Sequence, residues 1–465
     1  MRALWLATAL LVGCANLPDP VEPLARTPDA AFRQRAPERL PSAQPARLPP
    51  VRTERLANGL LLVVATRPNS PSTSVELVVR GAGSEAISEG SGMALATLFA
   101  LVEAPEAMFT MNVDHEAARL GIDTDEAGLD TAVRELANAV QRPTINEPLI
   151  HATRSFLSKR IARERLGNLI QTIAYQRLYA EPPALLVARE VVAQGITAEA
   201  VLRQYQRFYG PEVAALIVAG PAPFERVRSL AVEHFGGWKP GSRSAPQSPT
   251  RLPLLVPSVG TRPIIALDLD GDMAHAILML PGPPNGFPGF PEYLLADVLL
   301  GNSFSSRGNA ALRLHDAKSY GVWSGLDRRQ TGSELWVTFD VEQDDFVESL
   351  KRILSEVERL RRELVPEDEL VVAKIAWQAR LSSRLVTSSG TVALLGEGFA
   401  LDGDPEVLGA IADGVARVRP ADIQQVARRE FTPDRMQVVV FASRQKLEAE
   451  LRHVGPIGWQ TFEPE

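Results

Sequence analysis

The stretch ITAEAVLRQYQRFYGPEVAALIVA, residues 196–219, decides the architecture, because VRPADIQQVARREFTPDRMQVVVF, residues 418–441, repeats its pattern. The two lines align without a gap at a shift of 418 − 196 = 222, so that Val201 meets Ile423, Tyr209 meets Phe431 and Pro211 meets Pro433. Each copy reads as a helix, a proline turn and a closing strand. A period this long is a domain duplication rather than a solenoid. Upstream, Leu60–Ala65 and Val75–Arg80 are β-rich runs, marked off by Asn58-Gly59 and by the turn signal at Asn69–Pro71. In Asp345–Val365 the residues Phe346, Leu350, Ile353, Leu354, Val357 and Leu360 share one helical stripe, and Pro366 stops that helix. Strands first and helices after, twice over, predict an α+β fold of two duplicated halves, each a mostly antiparallel sheet packed with helices.

The 465 residues suffice for two to four domains, and an apolar share of 45% with 23% charged residues is ordinary globular composition. Lys+Arg 49 against Asp+Glu 56 gives 49 − 56 = −7, a balance without the basic footprint of nucleic-acid binding. One Cys permits no internal disulfide and no cysteine-based zinc knuckle. The six His, at 115, 151, 234, 275, 315 and 453, never fall within a helical turn of one another.

The amino terminus reads as an address. Met1-Arg2 is a positive start, and the apolar run Ala3–Gly13 is too short for a bilayer span. It ends Leu11-Val12-Gly13-Cys14, which resembles the cleavage box of bacterial lipoproteins, in which the Cys thiol receives the lipid. Residues 1–13 are thus expected to be a signal peptide and Cys14 the lipidation site. Ala15 in place of Asp implies, by resemblance to Gram-negative lipoproteins, outer-membrane anchoring with the body facing the periplasm. Nine Pro within 15–50 make 14–50 an extended tether. The remaining boundaries follow: 51–240 as the first half, the Pro-, Ser- and Gly-rich 241–262 as a linker, 263–455 as the second half and 456–465 as a tail.

Leu56-Ala-Asn-Gly-Leu-Leu-Leu-Val-Val-Ala65, Val75-Glu-Leu-Val-Val-Arg-Gly-Ala-Gly-Ser84 and Glu89-Gly-Ser-Gly-Met-Ala94 together resemble the opening of the pitrilysin/insulinase peptidases, which include the mitochondrial processing peptidase. Leu300-Gly-Asn-Ser-Phe-Ser-Ser-Arg307, then Leu312-Arg313 and Tyr320, are similar to that family's second-half motifs. The resemblance spans residue 51 to about 445 and implies two related halves facing each other around a chamber.

In that family an inverted His-x-x-Glu-His motif places two zinc ligands on one helix face, with the Glu activating water. The motif positions fall here on Leu95, Leu98 and Phe99, and the distal ligand position on Arg160 beside Lys159. Hydrocarbon moves no proton, and cations repel zinc. Leu95, Leu98 and Phe99 read equally as a packed helix face. Glu103, Glu106, Asp114 and His115 lie downstream, but a rebuilt site needs three well-placed ligands and an ordered second shell. The expectation is that this chain binds no metal and has no catalytic residues of its own.

Arg313 and Tyr320, seven apart, keep the family's Arg/Tyr spacing. The resemblance implies that they hold the substrate backbone and stabilise an oxyanion, chemistry suited to a guanidinium fork and a phenol donor. Without that context they would be a solvated Arg and a core aromatic. Gly301–Gly308 is similar to the glycine-rich loop of the processing peptidase's non-catalytic subunit, though shorter; Gly301 alone reads as a helix C-cap. Some bacterial relatives divide zinc and the Arg/Tyr pair between two chains. The implied function is a non-catalytic subunit that binds extended peptides at a sheet edge and contributes Arg313 and Tyr320 to a zinc-bearing sister chain. The alternative is a stand-alone peptide-binding or envelope scaffold. Ser443-Arg-Gln-Lys446 has the Ser-x-x-Lys spacing of an activated nucleophile, yet after a strand and before a helix Ser443 reads as an N-cap.

Overall fold

The computed structural model describes residues 47–83, 91–102, 109–143, 145–159, 196–239, 264–269, 271–283, 289–315, 317–330, 332–433 and 435–461. They form two six-stranded mixed sheets, each packed with helices. The first holds β1 (Val51–Arg55), β2 (Leu61–Thr66), β3 (Thr73–Arg80), β4 (Thr110–Val113), β5 (Ala117–Thr124) and β6 (Ala214–Gly220), in the order β1-β2-β6-β3-β5-β4. The second holds β7 (Ile264–Asp268), β8 (Met273–Gly282), β9 (Val322–Arg328), β10 (Ser333–Glu342), β11 (Gln437–Ala442) and β12 (Ile457–Thr461), in the order β12-β7-β11-β8-β10-β9.

Strand for strand the orders match. The one parallel pair of the first sheet, β2 with β6, corresponds to β7 with β11, and the antiparallel β6-β3-β5-β4 run corresponds to β11-β8-β10-β9. The repeat seen in the sequence lies where it should. Helices Ala198–Phe208 and Pro420–Glu430 are offset by 222, each leading through its turn into the closing strand. Val201 and Ile423 are both fully buried, as are Tyr209 and Phe431. Identical burial at aligned positions is what a duplicated packing scheme requires.

The outermost position beside β2 or β7 breaks the symmetry. In the first sheet it is filled antiparallel by β1, from the start of the folded region. In the second it is filled parallel by β12, whose Gly458 pairs with Ile265. The expected tail at 456–465 therefore contains an edge strand. Its alternation of Ile457, Trp459 and polar residues suits a half-buried edge, with Ile457 and Trp459 packed on the second core.

Each sheet buries one face against its helices. Val75, Leu77 and Val79 alternate inward with Leu62, Val64, Leu120, Ile122, Leu216 and Val218 in the first half; Leu278, Leu280, Val337, Phe339 and Val440 do so in the second. The predicted helix over 345–365 runs from Gln343 to Arg362 and buries Phe346, Leu350, Ile353, Val357 and Leu360. Pro366 then N-caps the next helix, Glu367–Leu385.

Helix Ser388–Asp402, from the second half, lies across the other face of the first sheet. Val392, Leu395, Phe399 and Ala400 pack on Leu61, Val63, Ala65, Val78, Ala215, Ile217 and Ala219. Arg67 ties the helix start, donating to the Leu385 carbonyl (2.6 Å), the Val386 carbonyl (2.6 Å) and Thr391 Oγ1 (2.7 Å). Arg80 ties its end through the Ala400 carbonyl (3.0 Å) and the Leu401 carbonyl (3.3 Å). The hairpin of β9 and β10 adds a third tie, with the Gln330 N–H donating to Glu116 (2.7 Å). The two halves are thus interlocked. Among the described residues no helix is long and apolar enough to cross a membrane.

Candidate functional site

Helix Ser91–Ala100 carries the positions where the family motif would place its metal ligands. Its mean composition is strongly apolar, and it is buried rather than turned to a cavity. Leu98 is 1% exposed and Phe99 7% exposed, and Leu95 packs from the rim of the same core. The Phe99 ring stacks on Phe156 of the helical residues 147–159, with centroids 4.0 Å apart. Thr97 spends its hydroxyl on the Met93 carbonyl (2.8 Å). None of these side chains carries a lone pair toward a common centre, so a zinc ion does not fit.

Nor do the downstream groups replace it. Asp114 is engaged: one oxygen accepts the Glu116 and Ala117 N–H groups (2.8 Å each), the other the Arg119 Nε (2.9 Å). Burial, and then the nearby Arg329 charge, push His115 down to about 3, so it stays neutral. Among the described residues no three His, Cys, Asp or Glu converge as a ligand set. Arg160, Glu103, Glu106 and Cys14 lie outside the described residues.

The second half is organised differently. Between helix Phe290–Leu300 and β9 the chain spends residues 301–321, whereas 101–109 suffices between the corresponding helix and β4. This added length, 21 residues against 9, carries Arg313 and Tyr320. Its inner side is fixed at many points. Gly301 ends the helix, as expected for a C-cap. A Cβ at Gly301 would meet the Ser324 N at 2.8 Å, and one at Gly308 would meet the Leu300 carbonyl at 2.7 Å, so only glycine permits these approaches. Arg307, 8% exposed, forms a bidentate pair with Glu369 (2.6 and 2.8 Å). Asn309 donates to the Ser303 and Val322 carbonyls (3.0 Å each) and accepts the Val322 N–H (3.0 Å).

Beneath the segment lies Asp297, 3% exposed, which accepts from Ser324 Oγ (2.6 Å) and Asn302 Nδ2 (2.5 Å). Burial pushes its carboxyl up to about 6 against those hydrogen bonds.

The chain then makes a π-turn over Ala310–Leu314, with the His315 N–H reaching back to the Ala310 carbonyl (3.2 Å). Ala317 has φ +52°, the one positive φ at a non-glycine among the described residues, and the Lys318 and Ser319 N–H groups return to the Leu312 carbonyl (2.9 and 3.2 Å). Lys318 anchors this bend to Asp345 and Glu348 (2.9 Å each) on the neighbouring helix.

The outer side of the segment is solvent-facing. Tyr320 is 91% exposed, Phe304 63% and Leu314 50%. Exposed Arg313 sets its guanidinium over the Phe304 ring, 4.8 Å from the centroid. The Arg/Tyr pair therefore stands on one braced loop, clear of the core. The expectation of a core aromatic at Tyr320, which holds without the family context, fails here. Sequence reading passed over Asn309, Asp297 and Lys318, whose roles in bracing the loop come from contacts distant in sequence. Ser443, 5% exposed, holds the N-cap position of helix Arg444–Leu451 and its N–H donates to Gln343 (3.1 Å), but its side chain makes no cap bond.

The molecule is a duplicated α+β scaffold in which helix Ser91–Ala100 presents packed hydrocarbon. Residues 195–376 match the family described as Peptidase M16 inactive domain. No curated protein sequence matches the chain. Among solved structures, a protease from Helicobacter pylori superposes with TM-score 0.76 at 18% identity, over 85% of this chain and 100% of that one. A peptidase M16 inactive domain from Pseudomonas fluorescens gives 0.73 at 16%, over 84% and 98%. An M16-like peptidase from Alicyclobacillus acidocaldarius gives 0.71 at 16%, over 85% and 98%. The chain thus resembles an M16 inactive domain over residues 195–376 and shares its fold with these solved structures.

Proposed function

We propose that this protein is the non-catalytic partner of a zinc-bearing sister peptidase, which receives Arg313 and Tyr320 at its own metal centre. One contrast carries the reading: the metal position is packed with Leu98 and Phe99, while Tyr320 stands 91% exposed on a loop braced by buried contacts. A relic loop has no need of such bracing; a loop that must present a phenol and a guanidinium in fixed geometry does.

In this reading the partner supplies the zinc and the water, and this chain holds an extended peptide. Arg313 and Tyr320 donate hydrogen bonds to the oxygen that gains negative charge as water attacks. The chain itself binds no metal. Lipidation at Cys14 tethers it to the outer membrane, facing the periplasm.

Reconstitution tests this. The full-length chain is mixed with its zinc-bearing sister and cleavage of an unfolded peptide is followed. Arg313→Ala and Tyr320→Phe should each lower kcat by tenfold or more with the complex intact by gel filtration. Full activity in both variants would reject the contributed pair; no cleavage gained on mixing, with no complex formed, would favour the stand-alone scaffold.

A further inference from the structure

The first sheet meets helix Ser388–Asp402 through two unlike surfaces. Over β2 and β6 the contact is apolar. Over β3 and β5 it is charged, and at its centre stands Glu76. Its neighbours across the sheet are Gly121 and Ile217, neither of which can pair with a carboxylate side chain. Directly above is Gly396 of the helix, where a Cβ would lie 2.7 Å from both Glu76 Oε2 and Arg119 Nη1. The glycine lets the helix backbone settle onto this pair.

We propose that Glu76 is a proton-controlled clasp: protonated, it lets the second half's helix Ser388–Asp402 seat firmly on the first sheet, and ionised, it loosens that seat. The switch goes beyond the proposed peptidase role and does not depend on it.

The geometry supplies the coupling. Arg119, 5% exposed, donates Nε to Asp114 (2.9 Å) and Nη1 to the Ala393 carbonyl of the helix (3.3 Å). The same Nη1 lies 3.9 Å from Glu76 Oε2, an oxygen that is buried without a hydrogen-bond partner. Ionised, Glu76 is a buried charge whose Oε2 has no hydrogen-bond partner beneath the helix, and lifting the helix hydrates it. It also adds negative charge beneath Glu397, the next helix residue after Gly396.

Every charged group facing Glu76 bears on the balance. Arg119 on β5 favours the ionised form, while Asp123 on β5, Asp114 in the turn before it and Glu397 on the helix oppose it. Asp123 is itself hydrogen-bonded by Ser74 (2.5 Å), and Glu397 is paired with Arg384 of the preceding helix. Burial is the largest influence, and the sum raises Glu76 to about 7. The transition therefore falls near neutrality.

The sign follows from linkage. A carboxyl held higher in the seated state than in the open state binds more protons when seated, so seating weakens as pH rises from about 4.5 to 7 and levels off above that. With an ordinary carboxyl of about 4.5 after opening, the opening equilibrium should rise about thirtyfold from pH 5.5 to 8.5.

Hydrogen exchange of amides 388–402, corrected for intrinsic rates, reads this in the full-length protein. The wild type should lose about thirtyfold protection across that range, and Glu76→Gln should lose none. Glu397→Gln, at a partly exposed position, serves as a second variant that removes a repelling charge; it should keep the transition but move its midpoint down. Equal protection at both pH values in the wild type, or an undiminished loss in Glu76→Gln, overturns the proposal.

Discussion

Phe99 lies against Phe156 with ring centroids 4.0 Å apart and planes 29° apart, at a position where the resemblance to zinc peptidases predicts a metal ligand. The stack joins helix Ser91–Ala100 to the helical residues 147–159, and both bury their facing sides in the first core. Apolar packing fills this helix face, so the helix contributes to the stability of the first core. Leu98→Ala should cost about 2–5 kcal/mol, because a fully buried leucine leaves a cavity. Leu98→Glu should cost at least as much, since it buries an unpaired carboxylate. Urea unfolding midpoints check both, and an unaffected Leu98→Glu would show that the helix faces solvent.

Arg307 belongs to the loop's foundation. Its guanidinium is buried, while the Glu369 carboxylate it holds is 28% exposed. Arg307→Ala removes both hydrogen bonds and should lower stability by about 1–3 kcal/mol. Arg313→Ala, at an exposed side chain, should stay within about 0.5 kcal/mol. Thermal unfolding of the two variants side by side separates the bracing arginine from the presented one.

Gly282 should be intolerant for a steric reason. A Cβ there would lie 2.2 Å from Cζ of Tyr293, a ring that is fully buried and whose hydroxyl donates to the Leu280 carbonyl (3.1 Å). Gly282→Ala must displace that ring, and a cost of about 1–3 kcal/mol is expected. Gly458→Ala, with open space at its Cβ, should be nearly silent in the same unfolding assay.

Asp297 sets an acid-side pH dependence. Its carboxyl stands near 6 in the folded protein against 3.8 for an ordinary aspartate. The folded state therefore binds the proton more tightly, and stability should decline as pH rises from about 4 to 6, then level off, by up to about 3 kcal/mol. Asp297→Asn should flatten this slope while keeping hydrogen-bond capacity toward Ser324 and Asn302. Denaturant midpoints taken between pH 4 and 7 decide it.

Several of these features were legible in the residues alone. The stripe from Phe346 to Leu360, the β runs before it and the 222-residue repeat all rest on local periodicity, which survives folding unchanged. Leu98 and Phe99 were readable as a packed face because no polar alternative existed in their side chains. Helix Ser388–Asp402 was not. It is buried by residues around its circumference, Ser388, Thr391, Val392, Leu395 and Phe399 among them, so it shows no amphipathic stripe. Its partner surface is a sheet some 170 residues or more upstream, a separation that pattern reading does not reach. β12, within the expected tail, was hidden for a related reason: it is a short run whose strand character comes from pairing with β7. The bracing of Tyr320 was equally hidden, since Asn309, Lys318 and Glu369 look like surface polar residues until their partners are known.

The most direct test of the account is the metal content of the isolated full-length protein, measured by elemental analysis after dialysis against micromolar zinc, together with its cleavage of an unfolded peptide. The account predicts well under a tenth of a zinc ion per chain and no cleavage with or without a chelator. One tightly held zinc per chain, with proteolysis abolished by the chelator, would contradict it.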